Sequence, residues 1–367
     1  MRYYVLAGEA SGDLHGAALL RALKTADPQA DFRAWGGDRM EAAGATLVKH
    51  YRDLAFMGFV EVVKHLGTIL RNIRLAKEDI LAYRPDVLIL IDYPGFNMRI
   101  AKWAKAQGIR VVYYISPQIW AWKEGRVEAL RRDVDQMLVI LPFEKDFYKK
   151  HSMEVAYVGH PLIGAIAAQK EKPIDPSVRF EKPVIALLPG SRAQEIRQKL
   201  PLMLSVVGHF PQHQFVVAAA PAQPLSLYEG LAGNLPVKIV SGKTYEVLQV
   251  AQAALVTSGT ATLETALFGV PQIVCYRGNP ISYQLAKCLI KVKYISLVNL
   301  ILDAPVVPEL IQDALNEEAL TRELKKLTDP ESPERAQMLA HYQELWNLLG
   351  STDASAEAAR LIVEGVR

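Results

Sequence analysis

Short runs of consecutive apolar residues recur along the chain, and each is followed by a turn and by residues with helical spacing. The first half contains four such runs, at residues 3–7, 87–91, 110–115 and 137–141. The second half contains five, at residues 184–188, 214–218, 237–240, 254–257 and 272–276. Apolar runs of this length are typical of strands buried on both faces, and strands that alternate with helices form right-handed βαβ units. The pattern therefore predicts an α/β protein with two parallel sheets.

A segment rich in proline and charge separates the two groups of strands. Residues 168–183 (AQKEKPIDPSVRFEKP) predict a linker, and residues 333–367, beyond the last strand, have a helical pattern. A chain of 367 residues is typical of two domains. We expect one domain at residues 1–166, a second at 167–343, and a C-terminal helical segment at 344–367 with the option of crossing back to the first domain.

The composition excludes several classes of protein. The formal charge of +3 is too close to balance to indicate a nucleic-acid partner. Cys275 and Cys288 are too few for a disulfide framework and lack metal-ligand spacing, so we expect both to be small core residues. The first residues lead directly into a strand, and no apolar run approaches the roughly 20 residues that a spanning helix needs. We expect a protein that is cytoplasmic or held at a membrane surface.

In open parallel sheets, ligands bind where the carboxyl ends of strands meet the N-termini of helices. The stretch VTSGTATLETALFGVP, residues 256–271, has small or hydroxylated residues at such a place. Ser258 or Thr260 could simply cap the helix that follows. Free amides beside small side chains also accept a diphosphate, and Glu264, one turn later, suits a ribose diol. In LLPGSR, Arg192 follows a Pro-Gly-Ser turn, where it is either a phosphate ligand or a solvated arginine. Together the two loops favour a diphosphate site.

The loop LAGEASGDLHG follows the first strand. It matches neither the dinucleotide fingerprint nor the Walker motif, so it predicts neither a dinucleotide nor ATP. Glu9 and Ser11 are candidates for contact with a substrate. Asp13 is expected to cap the helix that begins here.

In LILIDYPGFN, Asp92 directly follows a run of five apolar residues. Burial at this position would raise the pKa of the carboxyl group and suit it to act as a base. The alternative is that Asp92 caps a type II turn at residues 93–96. After the next strand, Trp120 and Trp122 either line a sugar or acyl pocket or pack in the core.

Ten motifs, in this order, resemble those of the lipid-A-disaccharide synthase family: GEASGD, GGDRM, MGFVEVV, IDYPGFN, SPQIWAW, LPFE, VGHP, LLPGSR, SGTATLE and VNLI…VPELIQ. The match runs from residue 6 to about residue 312. The resemblance implies the GT-B fold, two Rossmann-like parallel-sheet domains that face each other across a cleft. It also implies an inverting glycosyl transfer from UDP-2,3-diacylglucosamine to the 6-hydroxyl of 2,3-diacylglucosamine 1-phosphate (lipid X). The products are the lipid A disaccharide 1-phosphate and UDP, with no metal and no cofactor.

The resemblance also implies roles for individual residues. The acceptor would lie against the first domain, with Asp92 as the base and Glu9 as the second candidate. The nucleotide would lie in the second domain, where Arg192 and the amides around Gly259 would hold the diphosphate and Glu264 the ribose. Further substrate-binding residues would be Ser11, Gln118, Ser258, Thr260, Thr262, Asn299, Glu309 and Gln312. The alternative for Asn299 is an ordinary turn residue.

Two other functions stay open. One is another enzyme of the same fold, such as a UDP-GlcNAc epimerase or the lipid-linked peptidoglycan glycosyltransferase. The other is a non-catalytic protein that binds a UDP-sugar or a lipid.

Residues 59–81 predict a helix with an apolar stripe and a basic flank. The stripe comprises Phe59, Val62, Val63, Leu66, Ile69, Leu70, Ile73, Ile80 and Leu81. Lys64, Arg71 and Arg74 lie on the flank, and Lys77 is expected to snorkel. The helix either binds the inner-membrane surface or simply covers the first sheet. Because the expected substrates carry acyl chains, the first interpretation predicts peripheral association with the inner membrane. The sequence is also compatible with an oligomer.

Overall fold

Parallel strands form the centre of each of the two units into which the chain divides. The computed structural model describes residues 1–53, 66–279, 283, 292–350 and 353–366. One unit comprises Met1–Pro161 and Ser351–Arg367, and the other comprises Leu162–Gly350. The strands are β1 Arg2–Ala7, β2 Asp31–Gly36, β3 Thr46–His50, β4 Val87–Ile91, β5 Arg110–Tyr114, β6 Gln136–Val139, β7 Ala156–Tyr157, β8 Val184–Leu188, β9 Gln214–Ala219, β10 Val237–Ser241, β11 Ala251–Thr257, β12 Gln272–Tyr276 and β13 Glu309–Ile311.

Helices connect these strands. They are α1 Ala10–Ala26, α2 Asp38–Ala42, α3 Leu66–Tyr83, α4 Pro94–Ala106, α5 Ile119–Trp122, α6 Val127–Asp133, α7 Glu144–Lys150, α8 Leu162–Lys170, α9 Ala193–Leu204, α10 Leu225–Ala232, α11 Thr244–Val250, α12 Thr260–Leu267, α13 Leu297–Leu302, α14 Glu317–Thr328, α15 Pro333–Leu349 and α16 Ala354–Glu364. The strand order is β3-β2-β1-β4-β5-β6-β7 in the first unit and β10-β9-β8-β11-β12-β13 in the second. The α/β class and the two parallel sheets are therefore confirmed.

The first sheet is covered on both faces because successive side chains of a strand point in opposite directions. Val5 of β1 belongs to an apolar core that includes Leu20 of α1 and Ile362 of α16. Leu6, the next residue, belongs to a second core that includes Ile80 of α3. The same two-sided burial explains the unbroken apolar runs from which the strands were predicted.

All nine predicted strands are present, with ends that differ by at most three residues. Strands β2, β3, β7 and β13 were not predicted. β2 contains Arg33, whose guanidinium forms an ion pair with Asp79 of α3 at 2.6 Å. Arg33 interrupts the apolar pattern of β2. Because its partner is 46 residues away along the chain, no nearby residue indicates that this arginine belongs to a strand. β7 and β13 are too short, at two and three residues, to produce a pattern.

One predicted boundary needs correction, and another lies outside the described residues. Helix α8 continues to Lys170, so the predicted linker at 168–183 begins in a helix. The predicted helix at 59–81 coincides with α3 only from residue 66, and residues 54–65 lie outside the described residues.

The apolar stripe of α3 is divided between the core and the surface. Ile73 and Ile80 are buried in the core beneath the sheet, whereas Leu70 and Leu81 are 56% and 49% exposed. Lys77 does not snorkel freely, because its ammonium lies 5.5 Å from the ring centroid of Trp103. The prediction that the whole stripe is available for membrane contact is therefore wrong for Ile73 and Ile80, which are buried. Across the residues described, no helix combines the length and the apolar character needed to span a bilayer.

Candidate functional site

Asp92 follows β4 in an unusual backbone conformation. Asp92 and Tyr93 have positive φ values of 43° and 50°, a region that residues other than glycine adopt rarely. The Asp92 carbonyl oxygen accepts hydrogen bonds from the Tyr113 hydroxyl at 2.6 Å and from Asn97 Nδ2 at 2.8 Å. These bonds hold a strained conformation of the kind that concentrates at functional sites. The type II turn at 93–96 is wrong, because α4 begins at Pro94.

The Asp92 carboxyl group has electrostatic properties that suit proton transfer. Burial raises its pKa to about 6, and the nearby charge of Glu9 adds to the rise, whereas the backbone amide of Tyr93 opposes it. Above pH 7 the group is mostly ionised, and it is a stronger base than an ordinary aspartate. The structure thus brings together the two residues proposed as acids or bases from the sequence.

The loop after β1 approaches Asp92 closely. A Cβ atom at Gly8 would lie 2.3 Å from the ring of Tyr93, so glycine is needed for this contact. Glu9 is the N-cap residue of α1 and makes no side-chain cap hydrogen bond, and Ser11 lies exposed in the first turn. Glu9 and Ser11 are therefore accessible at the end of the sheet where Asp92 lies.

Asp13 stabilises a different helix from the one expected. It is buried within α1, and its carboxylate accepts hydrogen bonds from the amides of Gly37 at 2.7 Å and Met40 at 3.1 Å. These amides lie at the N-terminus of α2. The prediction that Asp13 caps α1 is wrong. Its carboxylate instead binds backbone amides at the start of α2, the nearest of which is 24 residues away along the chain.

The loop after β5 is also strained. Ile115 has a φ of 63°, which is a genuine outlier for a β-branched residue. Gln118 follows it and is exposed just before α5. Of the two tryptophans, Trp120 is 8% exposed and Trp122 is 50% exposed. Core packing therefore accounts for Trp120 but not for Trp122.

Buried polar side chains pack beneath the loop that follows β5. Glu144, 1% exposed, accepts a hydrogen bond from the amide of Leu141 at 2.9 Å. Burial raises the pKa of its carboxyl group to about 7. The hydroxyls of Ser116 and Tyr148 are 2.5 Å apart and hydrogen-bonded. Phe143 of LPFE packs edge-on against Trp120 of SPQIWAW, with ring centroids 4.9 Å apart, so the two motifs meet here.

In the second unit, Arg192 lies at the carboxyl end of β8. It is the N-cap residue of α9, and its guanidinium is 60% exposed and forms an ion pair with Glu195 at 3.0 Å. Gly190 precedes it with a φ of 114°, and a Cβ atom there would lie 2.6 Å from a Glu195 carboxylate oxygen. Glycine thus allows the turn that presents Arg192.

The adjacent strand β11 ends at the loop of residues 258–260. The N-cap of α12 is Gly259, with a φ of 145° and no side-chain cap hydrogen bond. Capping by Ser258 or Thr260 is therefore wrong: the Ser258 hydroxyl donates to the Ile295 carbonyl at 2.8 Å, and Thr260 is exposed. The Thr262 hydroxyl is buried and donates to the Gly259 carbonyl at 2.8 Å. Thr262 thus shapes the turn, and does not present its hydroxyl to a ligand.

Glu264 lies one turn into α12 and is half-buried. Its carboxylate accepts a hydrogen bond from the Tyr245 hydroxyl at 2.8 Å. Burial raises the pKa of the carboxyl group, and this hydrogen bond opposes the rise. One oriented carboxylate thus follows the uncapped helix N-terminus.

Asn299 and Glu309 belong to one hydrogen-bonded cluster. Asn299 is buried in α13, and its amide group bonds to both backbone groups of Val307 at 2.9 Å. The Glu309 carboxylate accepts from Asn299 Nδ2 at 3.0 Å and from the Ser296 hydroxyl at 2.8 Å. Asn299 is therefore not an ordinary turn residue, since it fixes the segment that leads into β13.

Gln312 lines a cavity of about 430 Å³ together with Arg277, Gly278 and Tyr283. Its φ is 54°, and its side-chain amide pairs with the backbone of Gly278 at 3.1 and 3.3 Å. Cys275, beside this loop, is buried as expected, and Cys288 lies outside the described residues.

The predicted residues fall into clusters within each unit. Glu9, Ser11, Asp92 and Gln118 lie at the carboxyl edge of the first sheet, and the remaining predicted residues lie in the second unit. Sequence reasoning missed Tyr113, Asn97 and Tyr245, which contact the predicted residues. Asn97 stands in the quoted motif IDYPGFN, whereas no local signal marks the two tyrosines. Within the described part of the chain, no three His, Cys, Asp or Glu residues are grouped as metal ligands.

Comparison with solved structures defines the class of protein. The UDP-GlcNAc 2-epimerase from Neisseria meningitidis superposes with a TM-score of 0.65 at 14% identity and covers 99% of each chain. The glycotransferase of kitacinnamycin superposes with a TM-score of 0.65 at 16% identity and covers 99% of this chain and 98% of its own. At such identities the likeness shows the fold alone. The fold is that of the GT-B class, which includes epimerases and glycosyltransferases.

Sequence comparison defines the family. The model of the lipid-A-disaccharide synthetase family matches residues 3–363. The lipid-A-disaccharide synthases of Geobacter sulfurreducens and Myxococcus xanthus are each 39% identical and align over 99% of this chain and 97% of their own length. The chain belongs to the lipid-A-disaccharide synthetase family. It is a glycosyltransferase that forms the lipid A disaccharide, and the epimerase and binding-protein alternatives are not favoured.

Proposed function

We propose that this enzyme transfers diacylglucosamine from UDP-2,3-diacylglucosamine to the 6-hydroxyl of lipid X, with inversion at the anomeric carbon. The observation that carries the proposal is the Asp92 carboxyl group, whose pKa is raised to about 6 in a strained loop at the carboxyl end of β4. Family membership supplies the substrates, and this carboxylate supplies the chemistry.

Asp92 would act as the general base. Its carboxylate takes the proton of the acceptor hydroxyl, and the hydroxyl oxygen attacks the anomeric carbon as the bond to the UDP diphosphate breaks. Inversion requires attack from the face opposite to UDP, so one base on the acceptor side is sufficient. Glu9 raises the pKa of Asp92 and thereby strengthens the base. Ser11 and Gln118, both exposed at this edge, are proposed to contact the acceptor.

The first unit would hold the acceptor and the second the nucleotide. The α12 N-terminus lacks a side-chain cap, so its amides are proposed to bind the diphosphate with Ser258, Gly259 and Thr260. Charge develops on the diphosphate as the bond breaks, and donors aimed at it stabilise the transition state. Arg192 is proposed to add a positive charge there, and Glu264 to hold the ribose.

Glu309 and Gln312 are proposed to belong to the nucleotide-binding part of the site, in the second unit. Asn299 would act through Glu309, because its own amide is already bonded to Val307 and Glu309. Thr262 would act through the turn at Gly259. We therefore assign positioning roles to Asn299 and Thr262.

We also propose that the enzyme binds the inner-membrane surface through the exposed face of α3. Leu70 and Leu81 are exposed there, with Arg71 and Arg74 exposed on the same helix. Apolar side chains beside basic ones suit an anionic lipid surface, and both substrates carry acyl chains.

The direct test is incubation with UDP-2,3-diacylglucosamine and lipid X, followed by mass and NMR analysis of the lipids. The proposal predicts one β-linked disaccharide 1-phosphate per UDP released. A sugar nucleotide epimerised at carbon 2 would instead indicate an epimerase. Binding of UDP without any product would indicate a binding protein.

A further inference from the structure

Two basic side chains, Lys123 and Arg126, lie on one turn after α5. The Arg126 amide donates to the Lys123 carbonyl at 3.0 Å and closes a 3₁₀ turn at Glu124–Arg126. In this geometry, side chains three residues apart lie on the same side. Both are half-buried. The turn therefore places two positive charges next to each other where water is partly excluded.

Within the described ranges, neither side chain forms an ion pair with an aspartate or a glutamate. The Lys123 ammonium lies 3.9 Å from the ring centroid of Trp122. Burial lowers the pKa of Lys123, and the charge of Arg126 lowers it further. Half-buried like charges repel each other, and a bound anion removes that repulsion.

Arg126 lies near the loop that carries Asp92, because the next residue, Val127, packs in the same core as Tyr113 and as Phe96, which follows Asp92 by four residues. Burial raises the pKa of Tyr113 well above its ordinary value, the charge of Asp92 adds to the rise, and the charge of Arg126 opposes it. Both charges therefore act on one hydroxyl, and that hydroxyl donates to the Asp92 carbonyl at 2.6 Å. Strands β4 and β5, which precede the two loops, are neighbours in the sheet. The two cations thus lie at the edge of the first unit that carries the proposed base.

We propose that Lys123 and Arg126 bind a phosphate group of a substrate. Guanidinium and ammonium groups suit phosphate oxygens. The inference rests on the proposed function, which supplies two sources of phosphate: the 1-phosphate of lipid X and the diphosphate of the donor. The position beside Asp92 favours the acceptor phosphate, which would orient the sugar so that its 6-hydroxyl reaches the base.

The test compares wild type with Lys123→Met and Arg126→Met. The substrates are lipid X and the same diacylglucosamine without its phosphate, and Arg131→Met on α6 is the control because Arg131 is exposed and paired with Glu128. We expect kcat/KM for lipid X to fall about 10- to 100-fold, the loss typical of a charged hydrogen bond. For the unphosphorylated acceptor, kcat/KM should stay unchanged. Lys123→Arg should retain the preference for the phosphorylated acceptor.

A rise in the donor KM instead, with both acceptors affected equally, would assign the site to the donor diphosphate. Equal losses for both acceptors with an unchanged donor KM, or no loss at all, would overturn the proposal.

A second readout does not depend on turnover. Titration of lipid X in detergent micelles into each protein should show weaker binding for both methionine variants than for wild type and Arg131→Met. If wild type makes no disaccharide, the proposed function fails, and this titration still decides whether the two cations bind phosphate. Circular dichroism melting curves would identify a variant that fails to fold.

Discussion

Replacing Asp92 with asparagine should make the enzyme inactive and more stable at the same time. Asparagine tolerates the left-handed backbone conformation as aspartate does, so the φ of 43° at this position is retained. The hydrogen bonds from Tyr113 and Asn97 go to the backbone carbonyl and are also retained. The substitution therefore removes the charge and leaves the architecture in place.

The size of the stability change follows from the raised pKa. Folding raises the pKa of Asp92 from 3.8 to about 6, and each pKa unit corresponds to about 1.4 kcal/mol. Ionisation therefore destabilises the folded state by up to about 3 kcal/mol above pH 6. Most of this effect is lost by about pH 4, and none remains below about pH 3, where both states are protonated. Because water reaches part of the side chain, we expect Asp92→Asn to gain about 1–3 kcal/mol at pH 8. Loss of a general base should lower kcat by about 10²- to 10⁴-fold.

Urea unfolding at pH 8 and at pH 4 measures the stability change. Tryptophan fluorescence reports mainly on the unit that contains Asp92, since this unit holds four of the five tryptophans, Trp35, Trp103, Trp120 and Trp122. Asp303→Asn is a matched control, because Asp303 also has a positive φ of 46° but is exposed and paired with Lys293 at 2.9 Å. Since Asp303 lies in the second unit, its unfolding is followed by circular dichroism, which reports on the helices of both units. The control should change stability by less than about 1 kcal/mol and should not stabilise. A destabilised or fully active Asp92→Asn enzyme would refute this reasoning.

Other substitutions test the second unit and the membrane surface. Arg192→Ala should lower both kcat and UDP affinity, whereas Glu264→Gln should act mainly on UDP affinity, each measured by calorimetry and steady-state kinetics. Gly190→Ala should cost about 1–3 kcal/mol of unfolding free energy, because its φ of 114° strains an alanine. Leu70→Ser with Leu81→Ser should reduce sedimentation with anionic vesicles and leave stability nearly unchanged, because both side chains are exposed.

Each of these predictions has a matched control. Arg131→Ala removes an exposed arginine that is paired with a glutamate three residues away, as Arg192 is with Glu195, but Arg131 lies in the first unit. Gly164→Ala places a Cβ atom in open space at an ordinary φ and should not destabilise. Leu348→Ser removes an exposed leucine from the second unit. Unaltered UDP binding in both Arg192→Ala and Glu264→Gln would contradict a nucleotide site in this unit, and equal vesicle binding after the α3 changes would contradict membrane contact through α3.

The sequence predicted the parts of the fold that depend on neighbouring residues. Apolar runs located nine strands because a parallel sheet covered on both faces needs every side chain to be apolar. The position of Asp92 followed from the rule that ligands bind at the carboxyl ends of such strands. The small residues at 258–260 marked a helix N-terminus without a side-chain cap in the same way.

Partners distant in the chain were beyond this reasoning. Asp13 was assigned to its own helix, but its carboxylate caps α2 through Gly37. The apolar stripe of α3 gave no indication of which half packs on the sheet, and Ile80 is buried where Leu81 is exposed. Tyr113 holds the Asp92 backbone from 21 residues away. In each case a tertiary contact, and not the local pattern, decides the role of the residue.

The dependence of kcat/KM for the acceptor on pH, at saturating donor, tests the central claim most directly. With Asp92 as the base, the wild-type value should fall tenfold per pH unit below an apparent pKa near 6. In Glu9→Gln the same limb should move to lower pH, because the charge that helps to raise the pKa of Asp92 is gone. A flat profile between about pH 5 and pH 8, or a limb that does not move in Glu9→Gln, would contradict the assignment of Asp92 as the base.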